Sequence, residues 1–172
     1  MLEALKSKIR DIPDFPKPGI LFKDITPLLG DPHGLANVVE AFAARYAGRG
    51  IDKVVAMEAR GFIFGAPLAM RLGAGFVPVR KPGKLPYKTD RVTYDLEYGT
   101  DSLEMHVDAI SAGQKVLLVD DLLATGGTAG GVIELVNRQK GEIVELAVVI
   151  ELDFLKGKER LAPVPVHSLI HY

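Results

Sequence analysis

Lys115 to Ala129 reads KVLLVDDLLATGGTA, and the order of residue types in it decides the fold. Four apolar residues, Val116 to Val119, run into the adjacent carboxylates Asp120 and Asp121. A short link reaches Thr125-Gly126-Gly127-Thr128, after which apolar residues recur at helical spacing. That pattern predicts a buried strand, an acidic strand end, a glycine-rich turn and a helix. In open α/β sheets, ligands gather at the carboxyl ends of the strands. Free N–H groups at a following helix N-terminus can hold a phosphate there. Glycine permits unusual dihedrals and close backbone approach, and the flanking threonines add hydroxyl donors. Two neighbouring carboxylates would nevertheless repel a bare phosphate. A sugar phosphate satisfies both halves, with hydroxyls for the acids and a phosphate for the turn. The plainer alternative is an acidic strand end followed by a flexible turn. No GxxxxGK[ST] and no GxGxxG after a strand is present, so the common nucleotide motifs do not apply.

Composition narrows the classes further. A chain of 172 residues is expected to form one domain with a substantial core. Its hydrophobic content of 48% suits a soluble globular protein. The net charge of −1 implies no broad basic surface for nucleic acid. With no cysteine, disulfides, thiolate chemistry and cysteine-ligated zinc are excluded. The N-terminus is amphipathic and broken by prolines, without a signal-peptide core. No apolar run is long enough for a bilayer, so no membrane association is expected and the cytoplasm is the expected location.

Working outward to the N-terminus, Leu2, Leu5 and Ile9 predict a short helix over residues 2–11. Residues 12–27, IPDFPKPGILFKDITP, carry four prolines and predict an ordered extended segment across the main body. Asp31-Pro32 predicts a helix start, with Leu35, Val38, Val39 and Phe42 on its buried face. Residues 51–57 then predict a buried strand ending in Glu58-Ala59-Arg60-Gly61. There Arg60 could clamp a diphosphate oxygen bidentately, or pair with Glu58 as a structural ion pair.

Residues 62–72 predict a helix with Phe62, Ala66 and Ala69 or Met70 inward, Pro67 marking a kink or a late start. A short strand over 76–79 leads to the cations Arg80, Lys81 and Lys84. Parallel strands would bring them to the same sheet edge as the other two clusters. Residues 85–99 lack a helical or core signature and predict a ribbon or mobile lid, with residues 102–105 pairing back. Unassisted, Glu97 reads as an exposed strand-edge residue. After the opening motif come a helix face of Val132, Leu135 and Val136, a strand over 143–150 interrupted by Glu145, and a last strand over 164–172. His167 and His171 share a strand face but show no acid or cysteine partner pattern, so no metal is expected on them. The expected order is β-α-β-α-β, an insert, β-α-β and a terminal strand: a single-domain α/β fold, its mainly parallel sheet flanked by helices.

Several stretches in one order carry a resemblance. VLLVDDLLATGGTA at 116–129 is similar to the phosphoribosyl-diphosphate motif of the type I phosphoribosyltransferases. FPKPGILFKDITPLL at 15–29, EARGF at 58–62, VRKPGKLP at 79–86 and LEYG at 96–99 resemble its adenine branch. The resemblance covers nearly the whole chain. It implies a type I phosphoribosyltransferase fold over 1–172, with an N-terminal arm and adenine-binding hood over 1–30 and a flexible catalytic loop over 84–98.

It also implies the reaction: adenine and 5-phospho-α-D-ribose 1-diphosphate give AMP and diphosphate, a step of purine salvage. By the resemblance, Ala124, Thr125, Gly126, Gly127 and Thr128 cradle the 5′-phosphate, and Asp120 and Asp121 face the ribose hydroxyls. Arg60, Arg80, Lys81 and Lys84 meet the diphosphate, some of them across a homodimer, and the Glu58-Ala59 peptide is expected in the cis form. Glu97 handles a proton on the adenine ring, with Tyr98 near the bound substrate. Leu21, Phe22 and Lys23 belong to the adenine-binding hood; many relatives carry Arg where this chain has Lys23, which lacks the planar fork. Mg²⁺ is the implied cofactor, held mainly by substrate oxygens and water with no protein ligand directly assigned. Two rivals remain at this stage. One is a phosphoribosyltransferase for another base, against which the hood and LEYG segments argue. The other is a non-catalytic sensor of the sugar diphosphate, which would be expected to carry a nucleic-acid-binding element.

Overall fold

A computed structural model describes residues 2–95 and 99–172. The chain opens with helix α1 (Leu2–Lys6), followed by strands β1 (Arg10–Pro13) and β2 (Leu21–Asp24) and helix α2 (Thr26–Gly30). Helix α3 (Pro32–Tyr46), strand β3 (Lys53–Met57), helix α4 (Gly61–Leu72) and strand β4 (Gly75–Val79) come next. Strands β5 (Thr89–Asp95) and β6 (Thr100–His106) precede β7 (Lys115–Leu123), helix α5 (Gly127–Arg138) and β8 (Glu142–Glu151). A 3₁₀ turn (Asp153–Leu155), the short helix α6 (Gly157–Arg160) and β9 (Val166–His171) complete it.

Five strands form one parallel sheet in the order β4-β3-β7-β8-β9. Their apolar runs are buried on both faces, as parallel sheets require. Alternation along each strand divides the core. Val54, Ala56, Leu117 and Val119 face one way, against Val38 and Phe42 of α3 and Phe64 and Leu68 of α4. Val55, Met57, Val116 and Leu118 face the other, against Val132, Leu135 and Val136 of α5 and Val92, Leu103 and Met105 of the β5–β6 ribbon. Each fully buried aliphatic or aromatic side chain contributes roughly 1.5–3 kcal/mol.

Local chemistry sets the helix ends. Asp31 caps α3, its carboxylate accepting from His33 N–H at 2.9 Å and Gly34 N–H at 2.7 Å, with Pro32 in the first turn. Gly73, at φ 66°, closes α4 in the left-handed conformation.

Three expectations are corrected. The first helix stops at Lys6 rather than residue 11, because Arg10–Pro13 pairs antiparallel with Leu21–Asp24. The proline-rich segment therefore forms its own hairpin outside the main sheet. Helix α4 runs through Pro67 and buries Gly61, Phe64, Gly65, Leu68 and Ala69, not Ala66 or Met70, the latter 84% exposed. Its register follows a close approach that periodicity does not reveal: a Cβ on Gly65 would lie 2.6 Å from that of Ala56 on β3. The ribbon expected after residue 85 is present: residues 89–106 pair antiparallel over seven rungs, from Thr89↔His106 to Asp95↔Thr100.

Glu145, the polar exception in β8, is 5% exposed and fully engaged. Arg45 Nε and the Tyr46 hydroxyl both donate to Oε2 at 2.7 Å, and a second guanidinium nitrogen donates to Oε1 at 3.0 Å. Burial pushes its carboxyl upward, but the hydrogen bonds from Arg45 and Tyr46 outweigh that and hold it below the usual value. Glu145→Ala leaves the buried Tyr46 hydroxyl without this partner. We expect a loss of about 2 kcal/mol in urea unfolding at pH 7; an unchanged midpoint would show that the cluster adds no net stability.

Candidate functional site

Parallel pairing of β3 with β7 brings their carboxyl ends side by side. The β3–α4 turn supplies Glu58, Ala59 and Arg60, with the Glu58-Ala59 peptide in the cis form. The end of β7 supplies Asp120 and Asp121, and the loop into α5 supplies Ala124, Thr125, Gly126, Gly127 and Thr128. All ten line a single cavity of about 440 Å³.

Gly61 sets how closely the two halves meet, since a Cβ there would lie 2.9 Å from the Val119 carbonyl oxygen and 3.1 Å from Asp120 Oδ1. Across this contact Arg60 Nε lies 2.6 Å from Asp121 Oδ2. The alternative Glu58–Arg60 pair expected from the sequence does not form. Glu58 instead accepts from Arg80 Nε at 3.2 Å and from the Lys81 N–H at 2.8 Å. Burial raises the Glu58 carboxyl, but those donors prevail and hold it below the ordinary value.

At the far side of the cavity, Gly126 takes φ 86° at the N-cap of α5 and no side chain caps the helix. The first-turn N–H groups are thus available to an anion. The turn is braced from behind: Gly157 of α6 comes so near the Ala124 carbonyl that a Cβ there would stand 2.3 Å from its oxygen.

Asp120 behaves differently from the other acids. Burial, then the neighbouring charge of Asp121, pushes its carboxyl well above the ordinary value, while the Asp121 N–H donates to its Oδ1 at 2.8 Å.

The remaining sequence-derived residues fall into three groups. Phe22 stands beside the cavity, its ring 5.5 Å from the Arg60 guanidinium and 5.1 Å from Phe15. Leu21 is half-exposed on the hairpin, and Lys23 is directed elsewhere: its ammonium meets Asp11 at 2.7 Å and lies 3.7 Å from the centre of the Tyr172 ring. Neither lines the cavity. Arg80 and Lys81 approach it only through Glu58, Lys81 also pairing with Asp101, and Lys84 is exposed beyond them. Glu97 and Tyr98 lie outside the described residues.

Sequence reasoning missed Tyr94 and Asp101. Thr128 Oγ1 donates to the Tyr94 hydroxyl at 3.3 Å, which donates to Asp101 Oδ2 at 3.4 Å, and Asp101 also takes Lys81. The available signal was the i, i+4 pair Gly127 and Gly131, which opens one face of α5 to a ring. His171, expected without acid partners, has them: Asp153 at 2.9 Å and Glu151 at 3.8 Å. Those three groups could hold a metal, but they do not line the cavity.

A carboxylate pair, a guanidinium and an uncapped glycine turn surround one cavity, groups that hydroxyls and an anion could satisfy together. Comparison with known proteins gives the chain a family. The phosphoribosyl transferase domain family matches residues 29–165. The adenine phosphoribosyltransferase of Acidobacterium capsulatum is 62% identical over 170 residues, covering 99% of this chain and 94% of that one. Among solved structures, the adenine phosphoribosyltransferase of Thermoanaerobacter pseudethanolicus superposes with a TM-score of 0.97 at 53% identity, covering 100% of both chains. The Saccharomyces cerevisiae enzyme, complexed with D-2,5-dideoxy-2,5-imino-altritol 1,6-bisphosphate and adenine, gives 0.93 at 43% identity over 98% of this chain and 97% of that one. The chain belongs to the phosphoribosyltransferase family, in its adenine phosphoribosyltransferase branch.

The raised carboxyl of Asp120 has a consequence for stability. The unfolded chain ionises it near the ordinary value of 3.8, the folded chain only at higher pH. The folded state therefore holds the extra proton between those limits, and stability falls as pH rises through them. Asp120→Asn keeps an acceptor for the Asp121 N–H and removes the charge. Without ligand it is expected to melt above the wild type at pH 8, the difference shrinking toward pH 4. A variant no more stable at pH 8 would show that the carboxylate carries no such burden.

Proposed function

We propose that the chain transfers the 5-phosphoribosyl group of 5-phospho-α-D-ribose 1-diphosphate to N9 of adenine, releasing diphosphate and forming AMP. The observation that carries this is the cavity in which Arg60, the Asp120-Asp121 pair and the Ala124–Thr128 turn converge. The matched adenine enzymes support the choice of base, and the bisphosphorylated sugar analogue and adenine held by the yeast relative support the two-substrate site.

In this reading, N–H groups and hydroxyls of the Ala124–Thr128 turn take the 5′-phosphate, and Asp120 and Asp121 accept from the ribose hydroxyls. Arg60 leaves Asp121 for the diphosphate, and Asp121 gains hydroxyl donors in exchange. Departure of diphosphate leaves positive charge on the ribose and gathers negative charge on the leaving group, which Arg60 and the cations Arg80, Lys81 and Lys84 stabilise. Glu97 moves a proton on the purine as N9 bonds to the sugar, with Tyr98 beside it. Phe22 encloses the ring, Leu21 offers backbone to its edge, and Lys23 contributes charge from its place on Tyr172. The cavity's donors are the hard carboxylate oxygens that Mg²⁺ prefers, but each is engaged: Glu58 by Arg80, Asp121 by Arg60, Asp120 by a backbone N–H. They fit a metal held mainly by substrate oxygens and water. When bound, Mg²⁺ would neutralise charge on the diphosphate. A homodimer, a cytoplasmic location and a catalytic loop over 84–98 complete the proposal; among the described residues, no helix is long and apolar enough to cross a membrane.

Incubation with the sugar diphosphate, Mg²⁺ and each nucleobase in turn tests the reading. AMP is expected from adenine alone; product from another base would reassign the acceptor, and none from any base would leave a sensor. Glu97→Gln should fold and bind the donor but lose about 100-fold or more in kcat. Turnover near wild type would remove Glu97 from proton transfer. In calorimetry, Asp120→Asn should weaken donor binding about tenfold, on the scale of a charged hydrogen bond; unchanged affinity would count against its place on the sugar.

A further inference from the structure

We infer that Tyr172 is a positioning residue for the acceptor: its ring holds the Lys23 ammonium and thereby fixes the angle at which β2 presents Phe22 to adenine. The inference rests on the proposed place of Phe22 at the adenine ring and deepens it, naming what holds that residue there.

β1 and β2 form a two-stranded sheet of their own. Two strands have little stability by themselves, so the orientation of the hairpin has to come from contacts with the rest of the protein. Along β2, Phe22 and Lys23 are adjacent and project to opposite sides of the strand. Phe22 is on the side of the cavity, where it meets Arg60 at 5.5 Å and the half-exposed Phe15 at 5.1 Å. Ile25, 3% exposed just beyond β2, fixes where the strand ends. One such point sets a position but leaves the direction of the strand open.

Lys23 supplies the second point. Its side chain is only 8% exposed despite its charge. The ammonium lies 3.7 Å from the centre of the Tyr172 ring and 2.7 Å from the carboxylate of Asp11, its cross-strand partner on β1. A cation over an aromatic face is held more strongly when water is excluded from it, and a buried charge that loses its partners is costly. Asp11 cannot orient the hairpin, because it belongs to the hairpin. Tyr172 is the partner that belongs to the main body.

Tyr172 is itself fixed. Its N–H donates to the Glu151 carbonyl at 3.0 Å and its own carbonyl accepts from the Asp153 N–H at 2.9 Å, continuing the pairing of β8 with β9. The ring packs on the half of the core that faces α3 and α4. Lys6 of α1, 4.5 Å from the ring centre, donates to the neighbouring His171 carbonyl at 2.8 Å. Burial, then the charge of Asp11, pushes the Tyr172 phenol above its ordinary value, so the ring stays neutral at neutral pH. Tyr172 does not line the cavity of Arg60, Asp120 and Asp121. It therefore acts on adenine through Lys23 and β2, without touching either substrate.

Steady-state AMP formation with each substrate varied in turn, together with calorimetry of the sugar diphosphate, tests this. Tyr172→Leu keeps apolar bulk and removes the ring, and should raise the adenine KM about tenfold. Donor affinity, and kcat at saturating adenine, should stay within about twofold. Lys23→Met keeps the reach and removes the charge, with the same result expected. In that background Tyr172→Leu should add less than about twofold, because both changes act through one contact. Tyr172→Phe keeps the ring and should stay within about twofold of wild type. An unchanged adenine KM in Tyr172→Leu overturns the inference. So does a loss in Tyr172→Phe as large as in Tyr172→Leu, or a full tenfold loss added in the Lys23→Met background. Donor affinity falling in step with adenine also overturns it, since that is a general loosening of the fold. Should Tyr172→Leu not fold, Lys23→Met decides, and an unchanged adenine KM there overturns the inference. A wild-type adenine KM in Phe22→Leu removes Phe22 from the acceptor site and the inference with it, while no AMP from the unmodified protein would be a failure of the proposed reaction itself.

Discussion

The site depends on one contact, the ion pair of Arg60 with Asp121 at 2.6 Å across the carboxyl ends of β3 and β7. Neighbouring parallel strands bring the two turns together, and Gly61 lets the start of α4 settle against the Val119 carbonyl. A larger residue at 61 would push the guanidinium off the acids and widen the cavity. The pair also resolves an apparent conflict, that a cavity with two carboxylates should admit an anionic sugar. Without ligand Asp121 has a cation; in the proposed complex the diphosphate takes that cation and the ribose hydroxyls replace it. Charge partners are exchanged, so neither the Arg60 guanidinium nor the Asp121 carboxylate has to persist unpaired.

Asp120 gains less from that cation. Burial and the neighbouring Asp121 charge disfavour its ionised form and outweigh the Asp121 N–H and the more distant Arg60 charge that favour it. Such a residue costs the folded state stability that the rest of the sheet must supply. The polar cluster at Glu145 is the opposite case, with two guanidinium nitrogens and a phenol meeting one buried carboxylate. One set of groups is satisfied inside the protein; the other, in the proposed complex, is completed by hydroxyls that a ligand brings. That contrast distinguishes a structural acid from a functional one in the same sheet.

Much of this was legible in the sequence where physics is local. The apolar run before Asp120-Asp121, the cap at Asp31-Pro32 and the inner face of α5 at Val132, Leu135 and Val136 follow from periodicity and capping chemistry, and the structure places them accordingly. Partner choice was not legible. Glu58 and Arg60 are near neighbours in the chain, yet their partners, Arg80 and Asp121, come from the residue after β4 and from β7 and are assigned by sheet order. The buried stripe of α4 was misjudged because Gly61 and Gly65, where the helix comes closest to the sheet, count for nothing on a hydrophobicity pattern. Tyr94 escaped for a related reason: its seat is made of absent side chains on another element.

The N-terminal arm, proposed to serve the acceptor, is held mostly by attachments away from the cavity. The β1–β2 hairpin is outside the main sheet and carries Phe22 beside Arg60. The arm's other attachments run to α3, where Lys8 meets Asp31 at 2.6 Å, and to the opposite end of the chain. Lys23 lies over the Tyr172 ring, and Lys6 donates to the His171 carbonyl oxygen at 2.8 Å. Lys23 thus works as an anchor, which accounts for a flexible ammonium in place of a planar fork: a cation over a ring needs charge and reach, not bidentate geometry. The Ala124–Thr128 turn is held by the sheet and by α6, whereas the arm is held at Asp31 and at the last residues of β9 and Tyr172. A change at Tyr172 would therefore be felt first at Phe22 and the proposed adenine pocket, while the Ala124–Thr128 turn kept its shape.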